Sequence, residues 1–117
     1  MMFYKFLGII FVMTVKSAFS FTHAQTEFKS IESALEAHNE GEAVTVLNLK
    51  KKKLKTIPHE IQVFTELIEL RLDKNKIENL PNWLSELTHL EILSIEKNKL
   101  EEIPSVILDL KNLRELY

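Results

Sequence analysis

The side chains best suited to acid–base or metal chemistry are four histidines and 17 acidic residues, and none of them falls into a catalytic pattern. His59 and Glu60 begin like a zinc-protease helix, in which two histidines four residues apart bind the metal. The residue four positions after His59 is Val63, so the second ligand is missing. The chain also has no cysteine and only two glycines. We therefore predict that it is not an enzyme and has no catalytic residue, metal site or cofactor.

The densest cluster of charge along the sequence is a run of four lysines at residues 50–53. Two sets of lysines recur at one fixed interval, Lys51/Lys74/Lys97 and Lys53/Lys76/Lys99. Four acids lie close enough in sequence to neutralise them: Asp73, Glu78, Glu96 and Glu101. Solvated surface is the simplest interpretation, and contact with an anion or acidic lipid is the alternative. With 15 basic and 17 acidic residues, the chain lacks the cationic excess that non-specific nucleic-acid binding needs.

The lysine sets are part of a longer internal repeat, which has the same period and which must form the elements that position them. Residues 47–69, 70–92 and 93–115 align without a gap, and residues 116–117 open a fourth copy. Seven apolar columns hold in all three copies, and in the first copy they are Leu47, Leu49, Leu54, Ile57, Ile61, Phe64 and Leu67. All three prolines, Pro58, Pro81 and Pro104, keep the same period. One copy cannot bury its apolar side alone, so the copies must stack.

Spacing within a copy predicts a strand followed by a helical return. Leu70 and Leu72 alternate, which is typical of a strand with both side chains on one face. The leucines from Leu80 to Leu90 then recur at intervals of four, three and three residues, which places them on one side of a helical segment. Pro81 suits the first turn of that segment, where its missing N–H is not needed.

This pattern, LxxLxLxxNxLxxIPxxIxxLxxL, resembles the leucine-rich repeat family over residues 44–117. The 23-residue length with "IP" or "LP" is similar to the Ras-group and plant-intracellular type. The resemblance implies an α/β fold: a right-handed solenoid with a short parallel sheet on its concave face and helical segments on its convex side. It also implies a surface used mainly to bind other proteins. Because the chain has no cysteine, we expect a bacterial exported member.

The family's asparagine column is present at Asn75 and Asn98. An inward amide at these positions can satisfy backbone groups at the turn between coils. The first copy has Lys52 there instead. Lysine has no acceptor and must extend outward, so we expect an irregular first turn.

Residues 1–24 are typical of a secretory signal peptide. Lys5 precedes an uncharged apolar run at residues 6–15, which is about half the length needed to span a bilayer. Thr22 and Ala24 suit the −3 and −1 positions, so we predict cleavage after Ala24, with cleavage after Ser20 as second choice. An uncleaved anchor or a buried core helix is the alternative. Cleavage predicts a secreted or periplasmic protein without a stable membrane span.

Residues 25–43 are predicted to form an N-terminal capping segment. Ser30 can cap a helix over residues 31–37, and Phe28, Ile31 and Leu35 could cover the edge of the first coil. Residues 44–117 form three complete copies and a truncated fourth. At that end Leu110, Leu113 and Leu116 have no complete following coil to cover them, so we expect fraying or self-association there.

The candidate binding surface consists of strand positions that alternate with the buried leucines. Its predicted partner-binding residues are Asn48, Lys50, Glu69, Arg71, Asp73, Ser94, Glu96 and Tyr117. Val46, Ile92 and Glu115 are also expected to face outward. Arg71 is expected to project without a like charge directly beside it, since its column neighbours are Asn48 and Ser94.

These positions predict a non-enzymatic protein-binding module whose partner is a protein of unknown identity. A truncated recognition arm of a larger enzyme or signalling protein is one alternative. A structural or adhesive surface protein is another.

Overall fold

Five short parallel strands form one sheet in chain order in the computed structural model, which describes residues 25–117. The sheet elements and the single α-helix are β1 (Glu27–Phe28), α1 (Ile31–Asn39), β2 (Val46–Asn48), β3 (Glu69–Arg71), β4 (Ile92–Ser94) and β5 (Glu115–Leu116). The predicted signal peptide lies outside the described residues. Within residues 25–117, no helix combines the length and the apolar character required to cross a membrane.

The strand register reproduces the sequence period. Leu47 lies opposite Leu70, Leu70 opposite Leu93, and Leu93 opposite Leu116, so each coil advances by one full copy of the repeat. The first three of these leucines are completely buried. The predicted repeat length and parallel strands are therefore confirmed.

The helical returns are 3-10 helices of five residues each, at His59–Val63, Asn82–Glu86 and Ser105–Asp109. In the second coil, the N–H of Leu84 donates to the carbonyl of Pro81, Leu87 to Leu84, and Leu90 to Leu87, each at 3.1 Å. A 3-10 turn has three residues, so side chains three apart lie above one another. The three-residue spacing of the leucines therefore reflects 3-10 turns. Pro81 has an extended ψ of 151° and precedes the helix, which corrects its predicted place in the first turn.

One apolar core runs through the coils, and its burial decreases toward the third copy. In the second copy all seven columns are buried, from Leu70 to Leu90. In the third copy Ile95, Leu100 and Ile107 are only partly buried, and Ile103 is 73% exposed. The reason is that the next coil covers each copy, and the described residues beyond the third copy are only Leu116 and Tyr117.

Asn75 fills the turn between the first and second coils, as predicted. Its side-chain nitrogen donates to the carbonyls of Leu49 at 2.9 Å and Leu72 at 2.8 Å. Its Oδ1 accepts from the N–H groups of Lys52 at 2.9 Å and Leu54 at 3.0 Å. One buried amide thus satisfies four backbone groups.

Asn98 has the same role one coil further on. It donates to the carbonyls of Leu72 and Ile95, both at 2.9 Å, and accepts from the N–H of Ile77 at 3.0 Å. The first turn, without an asparagine, is irregular, as expected. Each coil has one lysine at positive φ, and the first turn has a second at Lys53, with a φ of 60°.

The N-terminal segment contributes a strand that the repeat does not reveal. Glu27 of β1 pairs with Val46, an offset shorter than one copy of the repeat. Ser30 caps α1 by accepting from the N–H of Ser33 at 3.1 Å, as predicted. Phe28, Ile31 and Leu35 are partly buried and pack against the core.

Candidate protein-binding face

The outer sheet face consists of three rows of side chains that alternate with the buried leucines. The first row is Glu27, Val46, Glu69, Ile92 and Glu115; the second is Asn48, Arg71, Ser94 and Tyr117; the third, just past the strands, is Lys50, Asp73 and Glu96. The predicted positions are therefore brought together on one side of the sheet. Val46 is an exception to the expected exposure. It lies between Glu27 and Glu69 and is buried, with only 6% exposed.

Arg71 is held in an ionic cluster. Its guanidinium pairs with Glu69, and its Nη1 lies 3.5 Å from Oε1 of Glu27. The amide nitrogen of Asn48 donates to the other carboxylate oxygen of Glu27 at 2.8 Å. Two carboxylates therefore hold Arg71, because Glu27 reaches it from β1.

Sequence reasoning missed Glu27, which lies outside the repeat. The polar–apolar–polar alternation of Glu27, Phe28 and Lys29 was the only signal available, and three residues predict a strand weakly. Its contribution depends on pairing with β2, which only the folded chain provides.

Asp73 belongs to a second cluster at the carboxyl ends of the strands. Its Oδ1 accepts hydrogen bonds from the Ser94 hydroxyl and, at 2.9 Å, from the N–H of Glu96. Its Oδ2 lies 3.4 Å from Nζ of Lys50, which is too long for a charge-assisted hydrogen bond. Oδ2 is buried and accepts no hydrogen bond within the described residues. Asp73 itself is only 5% exposed, so the predicted surface residue is largely covered.

The electrostatics of Asp73 favour its charged form. Burial raises the pKa of this carboxyl, but the hydrogen bonds from Ser94 and Glu96 and the charge of Lys50 outweigh that effect. The net result is a pKa below the ordinary value of 3.8. Asp73 is therefore a buried anion at neutral pH.

Tyr117 and Lys50 are exposed predicted residues of the face, as is Glu96. Tyr117 is 54% exposed, and its hydroxyl lies 3.3 Å from Oε1 of Glu115. The charge of Glu115 raises the pKa of the Tyr117 phenol, so it stays neutral and can donate. The side chain of Lys50 is 44% exposed despite its ion pair with Asp73. Both can therefore reach a partner.

The acids expected near the lysine columns lie beside them without direct ion pairs: Asp73 and Glu96 line a cleft with Lys51, Lys74 and Lys97, and Glu78 and Glu101 line another with Lys99. Asp73 pairs with Lys50 instead, outside the columns. Within residues 25–117, the lysines of both columns form no ion pair with any acid.

The described histidines lie in three separate places. His59 is exposed, with Nδ1 3.8 Å from Glu60. The ring of His38 packs edge-on against Phe64 at 5.7 Å, and a ring nitrogen of His89 lies 3.2 Å from the carbonyl of Thr65. Over residues 25–117 there is no group of three or more histidine, aspartate or glutamate side chains that could hold a metal ion.

Comparison with known proteins supports a leucine-rich-repeat-like fold. No protein-family model matches the chain, and no curated protein matches it. A solved structure of a leucine-rich repeat protein from Leptospira interrogans is similar, with a TM-score of 0.69 and 32% sequence identity. The match covers 80% of this chain but only 23% of the Leptospira protein, so this chain spans about a quarter of its length.

Proposed function

We propose that this chain is a non-enzymatic protein-interaction module that binds a protein through its outer sheet face. The observation that carries the proposal is that side chains of this face are already held in place without a partner. Arg71 and Asn48 are both held by Glu27, and Asp73 is held by Ser94 and Glu96. Side chains that are already fixed lose little entropy on binding, so they make effective anchors.

Similarity to the Leptospira protein supports the same class of function, because both chains share the repeat fold at 32% identity. Membership of the bacterial exported type is part of the proposal, supported by the absence of cysteine and by the sequence of residues 1–24. We further propose that the solenoid is right-handed and that α1 caps its N-terminal end. The packing of Ile31 and Leu35 against the core supports the capping role.

The proposed function is tested by blocking the face with a large side chain. Ile92 lies at its centre between Glu69 and Glu115, so Ile92→Arg adds bulk where two carboxylates tolerate the charge. Leu108 lies on the third 3-10 helix and is 83% exposed, so Leu108→Arg is a control with the same added group. The tagged full chain is used to capture proteins from extracts of the source organism, followed by quantitative mass spectrometry.

A protein enriched by the parent and by Leu108→Arg, but reduced at least about tenfold by Ile92→Arg, would support the proposal. Equal enrichment by both variants would place the binding surface elsewhere. Circular dichroism of both variants confirms that each is folded before the capture is compared.

A further inference from the structure

One lysine column occupies backbone positions that lysine rarely adopts. Lys51, Lys74 and Lys97 have φ values of 58°, 61° and 60°, in the left-handed region that glycine and asparagine favour. Neighbouring coils lie about 4.8 Å apart, so the three charges repel one another. Strained backbone of this kind is often retained at functional sites.

These three lysines lie beside a cleft that crosses three coils at the carboxyl ends of β2 to β4. Its volume is about 470 Å³, and its lining is Lys50, Lys51, Asp73, Lys74, Ser94, Glu96 and Lys97. Four lysines against two acids leave it with a formal charge of +2. The cleft therefore attracts an anionic group.

Asp73 supplies the second, independent observation. It is only 5% exposed in the wall of the cleft, and its Oδ2 accepts no hydrogen bond within the described residues. The long ion pair with Nζ of Lys50, at 3.4 Å, is what this oxygen has within the described residues, and a ligand hydroxyl that took the place of Nζ would give it the hydrogen bond that it lacks. A ligand that fits this cleft therefore carries a negative charge and, next to it, a neutral hydrogen-bond donor.

We propose that the cleft binds an acidic peptide segment of the partner protein, with aspartate or glutamate side chains beside the Lys51/Lys74/Lys97 column and an adjacent hydroxyl donating to Oδ2 of Asp73. An acidic segment is favoured because it matches the charge of the cleft, and serine or threonine supplies a donor without adding positive charge. This inference rests on the proposed protein-binding function and specifies the chemistry of the partner.

The experiment measures fluorescence polarisation of the purified full chain with labelled octapeptides. The acidic probe alternates aspartate and serine, and the uncharged reference alternates asparagine and serine. The double variant Lys74→Ala/Lys97→Ala removes two charges from the column. Its matched control, Lys76→Ala/Lys99→Ala, removes two charges from the same two turns but outside the lining of the cleft.

We expect the parent to bind the aspartate–serine peptide in preference to the uncharged one. The Lys74→Ala/Lys97→Ala variant should lose at least about tenfold in affinity for this peptide, and the Lys76→Ala/Lys99→Ala control less than about threefold. The reason is that only the first variant removes lysines that line the cleft. Equal losses of affinity in the two double variants would overturn the proposal by showing a diffuse electrostatic effect. Stronger binding to phosphatidylglycerol vesicles or to inorganic phosphate than to the peptide would also overturn it.

A third octapeptide, alternating aspartate and alanine, tests the role of Asp73. The parent should bind the serine peptide several-fold better than the alanine peptide, and Asp73→Asn should abolish that preference while remaining folded by circular dichroism. No preference in the parent would contradict the role assigned to Oδ2. If acidic peptides fail to bind while Ile92→Arg still abolishes partner capture, this inference falls and the proposed function stands.

Discussion

At the scale of single residues, Asn75 fixes the geometry between the first two coils through directional hydrogen bonds, which leucine contacts cannot do. Its amide joins carbonyls from both coils and two N–H groups of the first turn. Leucine contacts are non-directional, whereas these hydrogen bonds require one arrangement of the turn. The amide therefore fixes the position of one coil relative to the next.

We expect Asn75→Ala to lower the free energy of unfolding by about 3 kcal/mol, because several buried backbone groups would lose their partners. Asn98→Ala is the matched comparison. Asn98 is less buried and satisfies one N–H rather than two, so its loss should be smaller, about 1–2 kcal/mol. Urea unfolding followed by circular dichroism measures both. Equal losses would contradict a role that depends on burial.

Asp73 makes a contribution to stability that depends on pH. Its pKa is lowered in the folded state, so its stabilising effect is present above the ordinary value of 3.8 and is lost as pH falls through the lower folded-state value. Asp73→Asn should therefore lower the free energy of unfolding by about 1–2 kcal/mol near neutral pH. Urea titrations at decreasing pH should show parent and variant converging below 3.8. A difference that stays constant with pH would contradict the assignment.

At the scale of elements, the turns after the strands have two kinds of lysine position. Lys74 has a φ of 61°, where a side chain is unfavourable, whereas Lys76 lies two residues later in the same turn without a positive φ. Glycine adopts positive φ without strain but loses more conformational entropy elsewhere. The same substitution should therefore have opposite effects at these two positions.

We expect Lys74→Gly to raise the free energy of unfolding by about 0.5–1 kcal/mol and Lys76→Gly to lower it by a similar amount. Both variants remove one charge, so the difference between them isolates the backbone effect. Thermal unfolding by calorimetry measures the two values. Destabilisation by Lys74→Gly would show that its side chain, and not its backbone, matters for stability.

At the scale of the whole molecule, the third copy presents an apolar surface, the end groove, lined by Ile95, Leu100, Ile103, Ile107 and Leu116 among others. The backbone there is ordered by hydrogen bonds, since the Tyr117 N–H donates to Leu93 at 3.0 Å and the Ile95 N–H to Tyr117 at 2.8 Å. Of the two expected outcomes, fraying and self-association, this pairing favours self-association of the purified chain. The strand edge of β5 and the end groove would form the contact with a second molecule of the protein.

Light scattering across a dilution series tests this expectation. Ile103→Lys, in the end groove, should keep the chain monomeric, whereas Leu108→Lys, which is at least as exposed but outside the groove, should not. A parent chain that is monomeric at high concentration would contradict the prediction. Rapid hydrogen exchange of residues 105–117 in that monomer would then identify fraying instead.

Export is the second prediction for the whole chain. Cleavage after Ala24 should give a mature protein beginning at Gln25. Intact mass measured on the protein from its source organism distinguishes this from cleavage after Ser20. A protein that still begins at Met1 would contradict the localisation that we propose.

The sequence by itself determined the features that recur with the repeat. The register between coils, the parallel strands, the buried leucine columns and the bridging amides of Asn75 and Asn98 all follow from local spacing that stacking repeats coil after coil. Ser30 and α1 were predictable for the same reason, because a cap depends on close neighbours in the sequence.

Only the tertiary structure decided the contacts that cross between coils outside that period. β1 joins the sheet at an offset shorter than one copy of the repeat, so Glu27 reaches Arg71 and Asn48 although nothing in the repeat marks it. Asp73 pairs with Lys50 and not with a lysine of the columns, and sequence distance alone cannot predict which of several nearby charges it pairs with. The candidate binding face depends on these long-range pairings, because its side chains are positioned by neighbouring strands and not by their own.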